Sequence, residues 1–337
     1  ENFIQNLSLN TTIGLDKIRT PFIFEKICRE KSLKFKYFED PCIYPKAQKN
    51  ESELQGARLA NIRDGTSVTK FLYWLKNEIT IDETDEIIAA EKLFTLRKNN
   101  DLFYSLSFET ISATDQHSAI PHYRVTKESN LEFKKNSIYL VDSGAQYLDG
   151  TTDITRTIIL GSPTKEQKDR FTRVLKGHIA IANCVFEEGI QGSLLDPLAR
   201  KSLNNIGCDY DHGTGHGIGS FLSVHEGPQR IAKSTGLSDG KIKEGMIISN
   251  EPGFYKKGEY GIRIENLVIA EKKSHSQLEF EVISWAPIDA ELIENSLLTL
   301  EEKEWVNWYH QEVYNKLAGQ LDRKEKSWLN KVTRPIG

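Results

Sequence analysis

Long apolar runs, closely spaced cysteines and an excess of positive charge are all missing from this 337-residue chain. No window approaches the ~18 uninterrupted apolar residues of a membrane span, which argues against a membrane partner. The four cysteines (Cys28, Cys42, Cys184, Cys208) are scattered, with no CxxC spacing. Free thiols in a reduced, cytoplasmic setting are therefore expected. A formal net charge of −4 supplies no basic surface for nucleic acid. Neither an initiator methionine nor a signal-peptide pattern stands at Glu1, so the chain reads as part of a longer protein.

What is present is enough length for a large core and a clear order of elements. Residues 1–43 hold an amphipathic stretch (Phe22, Phe24, Ile27), a Lys/Arg-rich run from Lys26 to Lys36, and a break at Asp40-Pro41. They read as the tail of a preceding domain plus a linker, with 44–337 as the main domain. Helical spacing of apolar residues predicts helices over Asn50–Lys76 and Thr84–Lys98. Strands are expected at Phe103–Ser112, Ser137–Ala145 and Ile154–Leu160. A helix begins after Ser162-Pro163-Thr164, and a shorter one covers Leu194–Leu203. Further strands are expected at Met246–Ser249, Ile262–Ala270 and Phe280–Ser284, then helices at Glu301–Leu321 and Lys326–Lys331. The class is mixed α and β, and the layout hints at two similar halves.

The chemistry concentrates in five residues. Asp142 and Asp153 lie in LVDSGAQYLDGTTDITRT, His216 in HGTGHGIG, Glu251 in ISNEPGFY and Glu265 in GIRIENLV. Carboxylates with one imidazole suit two divalent ions held close together, which makes a two-metal hydrolase the expected chemistry. Asp142 and Asp153 fall on consecutive strands. A two-residue turn at Asp149-Gly150 would set Asp153 opposite Gln146, roughly 13 Å from Asp142 at strand rise. A wider loop or bulge near Tyr147–Leu148 is therefore expected. Glu251 and Glu265 fall opposite each other if their loop centres on Gly258. The glycines alternating around His216 argue against a helix and for backbone packed close to a site. They fit neither HExxH nor GxGxxG.

These phrases, with IPHYR and VHEGP, resemble the cytosolic eukaryotic form of aminopeptidase P, the Xaa-Pro aminopeptidases of the pita-bread metallopeptidase clan. The likeness covers about residues 41–337, from KNESELQGARLANIRDG to WLNKVTRPI. It implies an α+β pita-bread (creatinase/aminopeptidase) fold of pseudo-twofold halves, with a curved antiparallel sheet and flanking helices. It also implies that residues 1–43 end a creatinase-like domain.

The resemblance further implies two ions, manganese as usual in the family, with cobalt or zinc compatible. Asp142 would chelate one and His216 bind the other; Asp153 and Glu265 would bridge them, and Glu251 would be both a ligand and the general base. His122 resembles a proton-shuttling histidine, His225 one that polarises the carbonyl, and His212 one that shapes the proline pocket. Arg263, and by the same logic Arg156, would pair with a ligand carboxylate. The implied activity is hydrolysis of the N-terminal Xaa-Pro bond of peptides by a hydroxide bridging the ions. A prolidase-type dipeptidase and a non-catalytic pita-bread binding protein are the alternatives. The aromatic face Trp305, Trp308, Tyr309, Val313, Leu317, Leu321 suits either core packing or a homodimer interface through the catalytic domain.

Overall fold

A computed structural model describes residues 2–233 and 240–337. The chain divides after Lys46 into two compact units. In the smaller, strands Thr12–Leu15 and Lys34–Tyr37 pair in parallel, and helix Phe22–Glu30 runs between them, burying Ile27 and Cys28.

The larger unit, Ala47–Gly337, opens with the helix Glu51–Asn77. Its start is fixed by a reciprocal cap: Glu53 N donates to the Asn50 side chain at 3.0 Å, and Asn50 N donates to the Glu53 carboxylate at 2.9 Å. Ala57, Ala60, Val68, Phe71, Leu72 and Leu75 are its buried apolar residues. At Gly65 the helix comes so close to its neighbour that an added Cβ would lie 2.0 Å from the Trp285 carbonyl oxygen. Alanine in a helix interior is ordinarily favoured over glycine by about 1 kcal/mol. Here Gly65→Ala should instead destabilise by about 1–3 kcal/mol. Urea unfolding of the two proteins checks this, and a more stable Ala variant would show that the helix can move away.

The helix Glu86–Lys98 follows, with Ile88 N donating to Asp85 at 2.7 Å. Its buried Arg97 holds Asp64 of the long helix through two hydrogen bonds of 2.8 Å. Tyr147 OH donates to the same Asp64 at 2.9 Å, tying a hairpin end to both helices.

Two antiparallel sheets carry the site. One orders Ile111–Thr114, Ser137–Ser143 and Ile154–Leu160; the other orders Ile247–Asn250, Asn266–Lys272, Gln277–Val282 and Val185–Glu187. The strand expected over Phe103–Ser112 is two strands. Phe103–Leu106 pairs with Ala145–Tyr147, whereas Ile111–Thr114 pairs with Ser137–Ser143. Between them the chain is held by Ser107, whose N donates to Gly144 O at 3.1 Å and whose Oγ donates to Thr152 O at 2.9 Å. The strand expected over Ile262–Ala270 is likewise split, into Tyr260–Arg263 and Asn266–Lys272.

Helices Lys165–Ala182 and Asp196–Asn204 repeat in the second half the helix pair of the first. Each half thus supplies two helices and a carboxylate-bearing hairpin, an α+β arrangement. In the helix Leu300–Leu317, Trp305, Tyr309, Val313 and Leu317 are buried in the core. Trp305 stacks on Tyr309 with centroids 5.3 Å apart, while Trp308 stays 47% exposed. No helix among the described residues is long and apolar enough to cross a membrane.

Candidate metal centre

The first hairpin turns at Leu148-Asp149, with Tyr147 opposite Gly150 and Gln146 opposite Thr151. The same register sets Asp142 opposite Thr155 and Ser143 opposite Ile154. The expected wide loop or bulge at Tyr147–Leu148 does not form. Asp153 stands diagonally from Asp142, two positions out of register and therefore on the same face of the ladder. Diagonal neighbours approach to about 7–8 Å without any bulge.

The second hairpin matches its expectation. Gly253 lies opposite Arg263 and Lys256 opposite Tyr260, and Asn250 lies opposite Asn266, so Glu251 faces Glu265 about a loop centred on Gly258. The hairpins are joined to one another: Glu265 N donates to Thr155 O at 3.2 Å. Arg263 N donates to Thr157 Oγ1 at 3.0 Å, and that hydroxyl donates back to Arg263 O at 2.9 Å.

His216 enters on a short ladder, Gly215–His216 against Arg230–Ile231. Its N donates to Ser249 Oγ at 2.9 Å. A Cβ on Gly215 would lie 1.9 Å from Ser249 O, so only glycine allows this approach. The His216 Nδ1 faces Gly217 O at 3.1 Å, which assigns the proton to that nitrogen. Its Nε2 points toward Glu251 Oε1 at 3.3 Å and Asp153 Oδ2 at 3.5 Å.

Ligand atoms of Asp153, His216 and Glu265 all lie within 4.8 Å of one another. Among the described residues, Asp142 Oδ1 and Asp153 Oδ1 are buried without a hydrogen-bond partner. Arg263 Nη2 donates to the other Asp142 oxygen at 2.6 Å, Thr155 Oγ1 to Glu265 at 2.7 Å, and Ser249 Oγ to Glu251 at 3.1 Å. Unpaired carboxylate oxygens buried beside an imidazole nitrogen fit divalent cations. The electrostatics agree. Burial first, then the neighbouring Asp142 and Glu251 charges, push the Asp153 carboxyl well above its usual range. Burial and then the Asp153 charge do the same to Glu265. Glu251 is raised by burial, opposed by His216 and Arg263.

The three other histidines expected at the site, His122, His212 and His225, line the same cavity of about 680 Å³, together with all five residues above. The His225 ring lies 4.2 Å from that of His216, and burial, then His216, holds its imidazole toward the neutral form. His212 faces Tyr255 OH at 2.8 Å through Nε2, and burial pushes it down to about 3. Tyr255 OH also accepts from Arg263 Nη1 at 2.6 Å.

Arg156 departs from its expectation. It reaches no ligand carboxylate and instead donates to the Glu265 carbonyl at 2.7 Å, Asn266 Oδ1 at 2.9 Å and Tyr309 OH at 2.7 Å. It anchors the backbone of the strand break from the core side. Sequence reasoning missed Ser249 and Thr155, although each stands two residues from an acidic residue on a strand and so shares its face. It also missed Tyr255, for which no local signal exists.

The two linked hairpins and their buried carboxylate–imidazole cluster define a pita-bread metallopeptidase. Residues 55–272 match metallopeptidase family M24, and residues 276–336 match the C-terminal region of peptidase M24. The chain belongs to this family.

It is 47% identical over 302 residues to a probable Xaa-Pro aminopeptidase P of Aspergillus flavus, covering 86% of this chain and 46% of that protein. Its counterpart in Coprinopsis cinerea is 46% identical over 301 residues, covering 86% and 48%. An X-prolyl aminopeptidase from Caenorhabditis elegans, described as a cytosolic enzyme with a di-nuclear active site, superposes with a TM-score of 0.89 at 38% identity, over 96% of this chain and 54% of that one. A Xaa-Pro dipeptidase from Bacillus anthracis gives a TM-score of 0.69 at 25% identity, over 82% and 73%. The chain spans about half the length of the curated relatives it matches.

Proposed function

We propose that this chain carries a two-metal peptidase site that removes the N-terminal residue from peptides with proline in second position. The observation that carries the reading is the meeting of Asp142, Asp153, His216, Glu251 and Glu265 with three histidines in one cavity. The activity named for the fungal and nematode relatives supports the substrate class, and the setting described for the nematode enzyme supports a cytoplasmic location.

Asp142, Asp153, His216, Glu251 and Glu265 would together hold the two ions. Manganese is the expected pair, and cobalt or zinc suits the same donors. Bound there, two divalent ions would supply a water acidified to around neutrality and polarise the substrate carbonyl.

The protein's own groups do the rest. Glu251, whose proton affinity burial raises, takes the proton of the attacking water and passes it to the proline nitrogen. An amide nitrogen is too basic to leave as an anion, so it must gain a proton before it departs. His225, held toward neutrality, donates a hydrogen bond to the carbonyl oxygen. His122 relays protons at the amine side, and His212, held by Tyr255 OH, walls the proline pocket.

The test is release of arginine from Arg-Pro-Pro after manganese reconstitution, with a chelated control and an Xaa-Pro dipeptide in parallel. Metal-dependent cleavage of the tripeptide is expected, with the dipeptide cut more slowly. Preference for the dipeptide would replace this reading with a prolidase. Two bound ions without cleavage of either peptide would replace it with a binding role.

A further inference from the structure

Glu86 opens the helix Glu86–Lys98 and is 0% exposed. Its carboxylate accepts from Thr114 N at 2.8 Å, Leu131 N at 3.2 Å and Tyr123 OH at 3.0 Å, and His117 Nδ1 lies 3.0 and 3.1 Å from its two oxygens. The backbone joins in: Glu86 N donates to Leu131 O at 3.2 Å, and Ser112 Oγ donates to Glu86 O at 2.6 Å.

These partners bracket the crossing between strands Ile111–Thr114 and Ser137–Ser143, the segment that brings His122 into the cavity. Tyr123, next to His122, stacks on His117 with ring centroids 4.3 Å apart. On the other side of His122, Pro121 O accepts from Arg263 Nη2 at 3.3 Å. Among the described residues, no side-chain hydrogen bond holds the His122 ring itself. Its position therefore depends on how firmly its backbone is held.

We propose that Glu86 is the positioning residue for His122, its carboxylate clamping both ends of the segment 114–131 so that the imidazole is presented to the substrate. The proposal rests on the reading above that His122 serves the reaction. A buried carboxylate is a costly way to fill a core position, since an apolar side chain of similar size is often as stable. What only the carboxylate supplies is four acceptor sites converging donors from separate stretches of one segment. Burial pushes the Glu86 carboxyl up, and the bonds from Thr114 and His117 oppose that shift.

The test compares Glu86→Gln and Tyr123→Phe, each made in the parent and in a His122→Ala background. kcat and KM on Arg-Pro-Pro with manganese are measured, and hydrogen exchange across 115–131 is followed by mass spectrometry. Glu86→Gln should lower kcat on the order of 10–100-fold, the scale of a catalytic group displaced by about 1 Å, with KM little changed. Tyr123→Phe, which removes a single hydroxyl and preserves the stacking ring, should give a smaller loss of the same kind. In the His122→Ala background neither change should lower kcat further, and exchange should rise in 115–131 while strands 137–143 and 154–160 keep their protection.

An undiminished loss in the His122→Ala background would overturn the proposal, as would a rise in exchange across both strands. Unchanged exchange in 115–131 would overturn it too. If the parent itself releases no arginine, the proposed function fails, and the exchange data alone then decide whether Glu86 holds this segment.

Discussion

Glu251→Gln should reduce kcat on Arg-Pro-Pro on the order of 10³-fold or more while leaving a folded chain, within the range expected when a general base is lost. The substitution conserves volume, and the amide can still accept from Ser249 Oγ, which contacts Glu251 at 3.1 Å. What it cannot do is take a proton. It also replaces an anionic donor beside His216 Nε2, 3.3 Å away, with a neutral one, so some ion occupancy should be lost. Measuring metal content and turnover together separates these effects. A fully loaded variant that remains slow points to the proton-transfer role, whereas one restored by excess manganese points to a ligand role alone. Near-normal turnover and unchanged ion content without added manganese would sink both assignments. Asp153→Asn should be as damaging mainly through ion loss, because Asp153 belongs to the tightest group of donors.

Chelation should lower the melting temperature at neutral pH, and the difference between loaded and chelated protein should shrink on acidification. Asp153, Glu251 and Glu265 all have carboxyls raised above the ordinary range, first by burial. A carboxyl raised in the folded state contributes its full stability below the unfolded value, near 4. That stability is lost as pH rises through the folded value. Without ions the cluster is therefore most strained at neutral and higher pH, where charge in a buried site is unavoidable. Bound cations relieve that strain, and at free ion about 100 times Kd they add about 2.7 kcal/mol, worth several degrees in a chain of this size. Calorimetry between pH 5 and 8, with and without chelator, checks both sign and trend. Coincident melting at every pH would count against a preformed carboxylate cluster, and a gap that widens at low pH would invert the argument.

The candidate site was unevenly legible. Glu251 and Glu265 could be paired on paper because a loop centred on Gly258 puts them in direct register. Asp142 and Asp153 could not, because a diagonal pair shares a face without sharing a rung, and the turn at Leu148-Asp149 satisfies both. Arg263 and Arg156 looked equivalent, each near an acidic residue on a strand. Arg263 meets the Asp142 carboxylate and Arg156 a set of core carbonyls and hydroxyls, a difference that lies in which sheet face each side chain takes. Glu86 gave no signal, because an acidic residue after an Asp cap is ordinary helix-start chemistry.

By itself, the sequence determined the inventory and the local grammar of this protein. Capping pairs, apolar spacing and glycine placement are properties of neighbouring residues, and neighbours suffice to write helices, hairpins and the identity of the acidic and imidazole donors. Tertiary structure alone decided how the pieces meet. The Glu265–Thr155 backbone bond joins the two hairpins, the Gly215 approach delivers His216 against Ser249, and the helix at Glu86 grips a segment that carries none of its own sequence neighbours. Such contacts are set by the burial of surfaces far apart along the chain, where no spacing rule applies.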